Sequence, residues 1–204
     1  MAIKPILFNT EMVRAILEGR KSCTRRLVKP QPDEKHTYPL GFVTDSTEKK
    51  EVGCFGFAAN EYGGSIQYVK PPYRYAPGDI LYVRETWKKA PKGYYYYEDC
   101  QRNDIADVTK WKPSIYMPKD AARIWLKVTD VRVERLQEIT SEQICREGVE
   151  VEYPHVLNGE EKRYAFSRLW DSTIKKSDLD CYGWNASPWV WVIEFERCEK
   201  PEGV

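Results

Sequence analysis

Alternation of apolar and polar side chains predicts three β-strands along the chain. The segment PGDILYVRETW, residues 77–87, alternates after a Pro-Gly turn, which predicts a strand with one buried side. Residues 124–133 alternate in two separate phases, which predicts a long or bulged strand. Residues 189–195 alternate with large apolar side chains on one face, which predicts a strand close to the end of this sequence.

Helical spacing and capping residues predict three helices between these strands. The first covers residues 11–18, and Gly19 suits the left-handed exit from it. The second is short and begins at a capping box formed by Thr140 and Gln143. The third covers residues 160–170. Helices among mostly antiparallel strands favour an α+β fold in which a small barrel carries helices at its ends.

The remaining stretches are rich in proline, glycine and polar residues, which is typical of loops and turns. We expect a single domain over residues 1–204, with insertions at about 31–74, 88–115 and 153–186. The first insertion is expected to hold loops and at most one hairpin. The second holds four consecutive tyrosines at 94–97, which suit a packed hairpin.

Composition narrows the functional classes. The 32 Lys and Arg residues nearly balance the 31 Asp and Glu residues, so net charge does not draw the whole molecule to nucleic acid or to an anionic membrane. The apolar runs fall short of the ~20 residues that span a bilayer, and a basic-then-apolar leader is not seen. The six cysteines form no CxxC pair. We expect a cytoplasmic protein, in a bacterial cell or a phage-infected host, with neither metal nor cofactor.

Positive charge is instead concentrated locally, in EGRKSCTRR at residues 18–26, which holds four cationic side chains, a thiol and two hydroxyls. One interpretation is a solvated strand edge, where Lys and Arg discourage aggregation. The other is a cationic groove for single-stranded nucleic acid, which the 13% aromatic content would suit. Both remain open on the residues alone.

The same segment offers candidate chemistry. A desolvated Lys21 crowded by Arg20, Arg25 and Arg26 could act as a neutral general base, and Thr24 could act as a nucleophile. On a regular strand, however, positions 21 and 24 point to opposite faces. The two side chains therefore converge only if the chain turns after the first helix.

Three stretches together resemble the ASCH domain family of the PUA-like superfamily. They are GRKSCTRR after a short helix, PGDILYVRETW, and WLKVTDVRVERL followed by EGV, and the long chain is similar to versions carried by bacteriophages and prophages. The resemblance implies a small β-barrel with a helix-lined cleft that suits RNA or modified nucleosides. The family includes an acetylcytidine amidohydrolase, whose pattern implies Lys21 as proton acceptor, Thr24 as nucleophile and Glu147 as acid.

Three functions follow as hypotheses. The first is binding of RNA, single-stranded nucleic acid or a modified nucleoside in a cleft lined by Lys21, Thr24 and Glu147. The second is an amidohydrolase that deacylates acetylcytidine-like nucleosides, and the third is a phage accessory protein that binds a host protein. The candidate nucleic-acid-binding residues are Arg20, Arg25, Arg26, Arg84 and Trp87. Arg84 and Glu85 could instead pair with each other inside the barrel.

Overall fold

A computed structural model of the chain describes residues 1–102, 110–151 and 160–203. Its elements, in chain order, are β1 (Ile3–Leu7), α1 (Thr10–Leu17), β2 (Cys23–Leu27), β3 (Tyr38–Phe42), β4 (Phe55–Asn60), β5 (Gly63–Val69), β6 (Ile80–Arg84), β7 (Trp87–Ala90), β8 (Gly93–Tyr96), α2 (Tyr97–Arg102), β9 (Trp125–Arg135), α3 (Ser141–Arg146), α4 (Glu160–Ser172), α5 (Leu179–Tyr182) and β10 (Trp189–Cys198). Short 3-10 turns connect several of them.

The central sheet has the strand order β1-β6-β9-β10-β2. β1 pairs with β6 in parallel, and the other pairings are antiparallel. Among the described residues no backbone pairing joins β1 to β2, so the sheet is open with these two strands at its edges. The mixed helix-and-strand class agrees with the prediction, but the closed barrel is not confirmed.

The long strand predicted over 124–133 is confirmed as β9, and it is bulged. Its register against β10 shifts between Glu194 and Phe195, which face Asp130 and Val128 respectively. Thr129 is therefore the extra residue on β9. The shift explains why the apolar alternation of the sequence runs in two phases.

β10 is buried on both of its faces and separates two apolar cores. Trp189, Trp191 and Ile193 pack on one side with β1, β4 and β6, whereas Val190 and Val192 pack on the other side against α3 and α4. β2 is the outer neighbour of β10, with Thr24 opposite Ile193. Because α4 packs against β10 in this second core, it lies beside β2, the edge strand next to β10.

The predicted helices are present, and α1 and α3 have clear start signals. The side chain of Asn9 accepts a hydrogen bond from the backbone N–H of Met12 and caps α1. Thr140 and Gln143 form the capping box that begins α3, and Glu147 ends it. The second of these signals confirms the predicted capping box.

The first insertion is more ordered than expected. Instead of loops with one hairpin, it forms the three-stranded sheet β3-β4-β5. β4 adds buried Phe55 and Phe57 to the larger core, where Phe57 packs against Trp189 with ring centroids 5.1 Å apart. The packed hairpin predicted from the tyrosine run is confirmed, because β7 pairs with β8 and Tyr94 of β8 packs on Trp87 of β7.

No helix in the described ranges has both the length and the apolar character needed to cross a membrane.

Candidate functional site

A cleft of about 450 Å³ opens between the β2 edge, the start of α1 and the last turns of α4. Its polar lining includes Lys21, Thr24, Arg25, Arg26, Lys29 and Glu147. Its apolar lining includes Phe8, Met12, Phe166, Leu169, Trp170 and Ile174. The three residues that the ASCH resemblance implies as a catalytic set therefore line one cavity.

The chain turns after α1 in a way that brings Lys21 into this cleft. Gly19 adopts a left-handed φ of 77°, and the backbone N–H groups of Arg20 and Lys21 both donate to the carbonyl of Ala15. Lys21 then forms an isolated antiparallel bridge with Glu147 before β2 begins. The turn removes the objection that positions 21 and 24 lie on opposite faces of one strand.

Gly148 allows the close approach of these two segments. Its φ is +83°, and a Cβ placed on it would lie 2.7 Å from the Cβ of Ala15 and 3.1 Å from the Cβ of Lys21. The first contact is too short for two carbon atoms, and the second is tighter than most contacts of this kind. A side chain at position 148 would therefore push the end of α3 away from α1 and from Lys21.

Lys21 is held by three acceptors. Its Nζ donates to the carbonyl oxygens of Cys23 and Glu147 and to Oε2 of Glu147, each at 2.8 Å. The side chain is 1% exposed, and its Nζ lies 5.4 Å from the ring centroid of Phe8. Three acceptors match the three N–H donors of an ammonium group, so the arrangement fits a charged Lys21.

Arg25 shares the same carboxylate from the other side. It donates to Oε1 of Glu147 at 3.1 Å, to Oε2 of Glu134 at 3.0 Å and to Oε1 of Gln143 at 3.1 Å. Its side chain is 1% exposed, and its Nε is buried without a hydrogen-bond partner. Glu147 thus bridges two buried cations, and a buried ion set of this kind is stable only while every member is present.

Thr24 and Arg26 contact each other at the floor of the cleft. The Arg26 guanidinium donates to Oγ1 of Thr24 at 3.1 Å, to the carbonyl of Arg25 at 3.2 Å and to the carbonyl of Leu7 at 3.0 Å. Its Cζ lies 5.4 Å from the ring centroid of Phe8. Burial lowers the pKa of Arg26 because it disfavours the charged form.

The ion pairs continue away from the cleft across β9 and β10. Glu134 accepts from Arg132 as well as from Arg25, and Glu194 joins Arg132 to Arg146. Burial alone would raise the pKa of Glu194, but hydrogen bonds from Arg146 and Arg132 outweigh it and lower that pKa. This chain of alternating charge fixes Arg25 from the side opposite Glu147.

The apolar wall comes from α4 and was not predicted from the sequence. Phe166 and Trp170 lie four residues apart and so share one helix face. Their rings are 6.4 Å apart, and the Nε1 of Trp170 donates to the carbonyl of Tyr182 at 2.9 Å. The i, i+4 aromatic pair was the available signal, but it does not reveal which element the helix faces.

The other candidate residues lie elsewhere. Arg20 lines a neighbouring hollow, where it pairs with Glu18 and Glu150. Trp87 is 5% exposed and belongs to a separate apolar cluster around β7, β8 and the start of β9. Arg84 ends β6, and neither Arg84 nor Trp87 is among the described residues that line the cleft.

The expected pair between Arg84 and Glu85 is not formed. Glu85 instead accepts two hydrogen bonds of 2.9 Å from Arg123, which also binds Asp99. Burial raises the pKa of Glu85, although Arg123 opposes the shift. Arg123 lies in a loop that carries no strand or helix pattern, so no local pattern predicted this partner.

The solvated-edge interpretation of residues 18–26 is contradicted for two of the four cations. β2 is an edge strand, but the side chains of Lys21 and Arg25 are each 1% exposed and ion-paired. These two charges face the cleft and the carboxylates that pair with them. Half of the cations in this segment therefore belong to a buried ion cluster.

The described part of the chain holds no group of three or more His, Cys, Asp and Glu side chains arranged to hold a metal ion. All six cysteines fall within it and are free thiols. Burial raises the pKa of the Cys23 thiol to about 12, and the nearby Glu147 carboxylate adds to the shift. Cys23 is therefore a poor nucleophile despite its place beside Lys21 and Thr24.

No protein-family model matches this sequence, and no curated protein matches it. One solved structure similar to the chain is an ASCH domain from Lactobacillus crispatus JV V101, with a TM-score of 0.39 and 12% sequence identity. The match covers 96% of this chain and 79% of that domain. That domain bears the family name suggested by the sequence motifs, but a likeness of this level carries no argument about function.

Proposed function

We propose that the chain binds a nucleoside unit, as part of RNA or as a modified nucleoside, in the cleft between β2 and α4. The observation that carries the proposal is the division of this one cavity into an aromatic and aliphatic wall and a cationic wall. Nucleobases bind proteins by stacking on aromatic and apolar side chains, while their edges and backbone take hydrogen bonds.

The size of the cleft supports the proposal. A volume of about 450 Å³ falls within the range of roughly 300–1,000 Å³ that is usual for small-ligand sites. Phe166, Leu169 and Trp170 supply the apolar surface on which a base can rest. Thr24 and the cations on the opposite wall supply hydrogen-bond donors to a sugar, a base edge or a phosphate.

The test is direct binding of a fluorescently labelled single-stranded oligoribonucleotide, followed by anisotropy over a range of salt concentrations. We expect saturable binding whose logarithmic affinity falls linearly with the logarithm of salt concentration. Absence of binding to RNA at low salt, together with absence of binding to ribonucleosides, would contradict the proposal.

A steric variant locates the binding. Thr173 lines the cleft and is exposed, so the variant Thr173→Trp places an indole in the opening. We expect an affinity loss of at least about tenfold, which corresponds to about 1.4 kcal/mol. Ser172→Trp is the matched control, because Ser172 is also exposed on the last turn of α4 but does not line the cleft. Equal losses in the two variants would place binding elsewhere.

A second candidate function is deacylation of an acetylcytidine-like nucleoside. The observation that favours it is the 2.8 Å contact between Lys21 Nζ and Glu147 Oε2, beside Thr24. One proton transfer across this contact converts the ammonium and carboxylate into the amine and the carboxylic acid that the reaction requires. Thr24 Oγ1 would then attack the acyl carbon and pass its proton to Lys21, and Glu147 would protonate the leaving amine. Water would release the acyl group from Thr24.

The assay for this second function is release of cytidine from N4-acetylcytidine. Thr24→Val removes the hydroxyl and keeps the side-chain shape, and Lys21→Met removes the amine. Both variants should abolish release if the reaction uses these groups. Equal rates from the wild type and both variants would exclude the mechanism and leave only the binding function.

A further inference from the structure

The positive charges of the cleft are unequally compensated. Of the residues that the structure describes, four cations line it, and the two that pair with carboxylates are Lys21 and Arg25. The two oxygens of Glu147 are each occupied by one of them, and Glu134 contacts Arg25. The carboxylates at the cleft are thus already engaged, which leaves Arg26 and Lys29.

Arg26 contacts only neutral oxygens. Its hydrogen bonds go to the Thr24 hydroxyl and to the carbonyls of Arg25 and Leu7, and its Cζ lies over the Phe8 ring. Within the described ranges no carboxylate lies at ion-pair distance from it. The Glu147 carboxylate acts on Arg26 only from beyond ion-pair distance, and burial outweighs it. A half-buried cation without a directly bound anion carries a desolvation cost that these neutral acceptors offset only partly.

Lys29 extends this positive surface towards the opening. It follows β2, is exposed and lines the same cleft, with its Nζ 5.2 Å from the ring centroid of Tyr182. Among the residues with described positions it has no ion-pair partner. Arg26 at the floor and Lys29 at the rim therefore form an uncompensated positive path along one wall of the cavity.

We propose that this path binds a phosphate group, so that the cleft selects a nucleotide or a nucleotide unit of RNA over a free nucleoside. The inference rests on the proposed function, since it names which part of the ligand the cationic wall recognises. A guanidinium offers planar, paired N–H donors that match phosphate oxygens, and a bound phosphate supplies the anion that Arg26 lacks. Lys29 adds a flexible point charge at the entrance.

The experiment compares the four ribonucleosides with their 5′-monophosphates, by calorimetric titration of the wild-type chain at one fixed salt concentration. We expect the monophosphates to bind at least about tenfold more tightly, the gain typical of one charge-assisted contact. Inorganic phosphate alone should compete with the monophosphates and not with the nucleosides.

The variants Arg26→Gln and Lys29→Gln test the two cations separately. Each should reduce the preference for the monophosphate, Arg26→Gln to nearly onefold, because each variant loses more affinity for the monophosphate than for the nucleoside. Lys92→Gln is the control, because Lys92 is an exposed cation at the tip of the β7–β8 hairpin. If Arg26→Gln does not fold, the phosphate proposal is still tested by Lys29→Gln and by the wild-type comparison of nucleosides with monophosphates.

The outcomes separate this inference from the proposed function. Nucleosides that bind as tightly as their monophosphates would overturn the phosphate path and keep the binding function. If Arg26→Gln loses the same factor of affinity for nucleosides and for monophosphates, the phosphate path is likewise overturned and the binding function is kept. Failure of the wild type to bind either class or RNA would overturn both proposals.

Discussion

Replacing Glu147 by glutamine should destabilise the fold strongly, because the neutral amide leaves two buried cations without their shared anion. The side chains of Lys21 and Arg25 are each 1% exposed, and Glu147 is 6% exposed. Their pairing therefore belongs to the buried class, in which removal of one partner costs about 3–5 kcal/mol, rather than to surface pairs worth about 0–1 kcal/mol.

Urea unfolding followed by tryptophan fluorescence measures this loss. With an m-value of about 2 kcal/mol/M, the midpoint of Glu147→Gln should fall by about 1.5–2.5 M. The control is Glu196→Gln, which removes an exposed pair with Lys127 at 3.8 Å and should change stability by less than about 0.5 kcal/mol. If the two variants unfold at the same urea concentration, the reasoning from a buried ion cluster is wrong.

Three further predictions address the elements around the cleft. Gly148→Ala should cost about 1–3 kcal/mol in a urea melt and weaken RNA binding, because the new Cβ collides with Ala15, and unchanged values of both would contradict the close approach. Iodoacetamide at about pH 8 should modify the exposed Cys145 in the native state. It should modify Cys23, whose pKa is raised to about 12 by burial, only after urea unfolds the chain. Equal labelling of both thiols in the native state would contradict the burial of Cys23. Because the pKa of Glu194 is lowered in the folded state, its ionised form stabilises the fold fully above about pH 4.5, and this stabilisation is lost as the pH falls further. Glu194→Gln should therefore make the free energy of unfolding fall less steeply at acid pH. A fall as steep as that of the wild type would refute this.

Local patterns were sufficient for the elements that carry a strong period. Strands β6, β9 and β10 followed from alternation, and α3 followed from the capping box at Thr140. The two-phase alternation within β9 predicted a long or bulged strand, and the bulge lies at Thr129. These features depend on residues that are close in sequence, so the sequence alone determines them.

Features that depend on distant partners were missed. β1 is short and contains Pro5, which suits an edge strand, and it becomes a strand by pairing with β6, so that Ile3 faces Ile80. Glu85 finds Arg123 in a loop rather than the adjacent Arg84. The sequence contains the groups but does not specify the contacts, because those contacts form only when the sheet is assembled.

The candidate site also has some features that local patterns predicted and others that depend on distant partners. The local crowding of cations at residues 18–26 drew attention to the cleft, and the ASCH resemblance supplied the distant Glu147. The aromatic wall of α4 lies in a segment expected to be an insertion, and the support of Arg25 by Glu134 arises across the sheet. Both therefore needed the assembled fold.

The most direct test of a nucleotide-binding cleft uses the seven tryptophan indoles as internal reporters. Trp170 lines the cleft, whereas Trp87 and Trp125 belong to the separate cluster beside β7 and β8. In an isotope-labelled sample titrated with a ribonucleoside 5′-monophosphate, the indole N–H resonance of Trp170 should shift with saturation while those of Trp87 and Trp125 stay fixed. Saturable shifts at Trp87 or Trp125 with a fixed Trp170 would contradict the account.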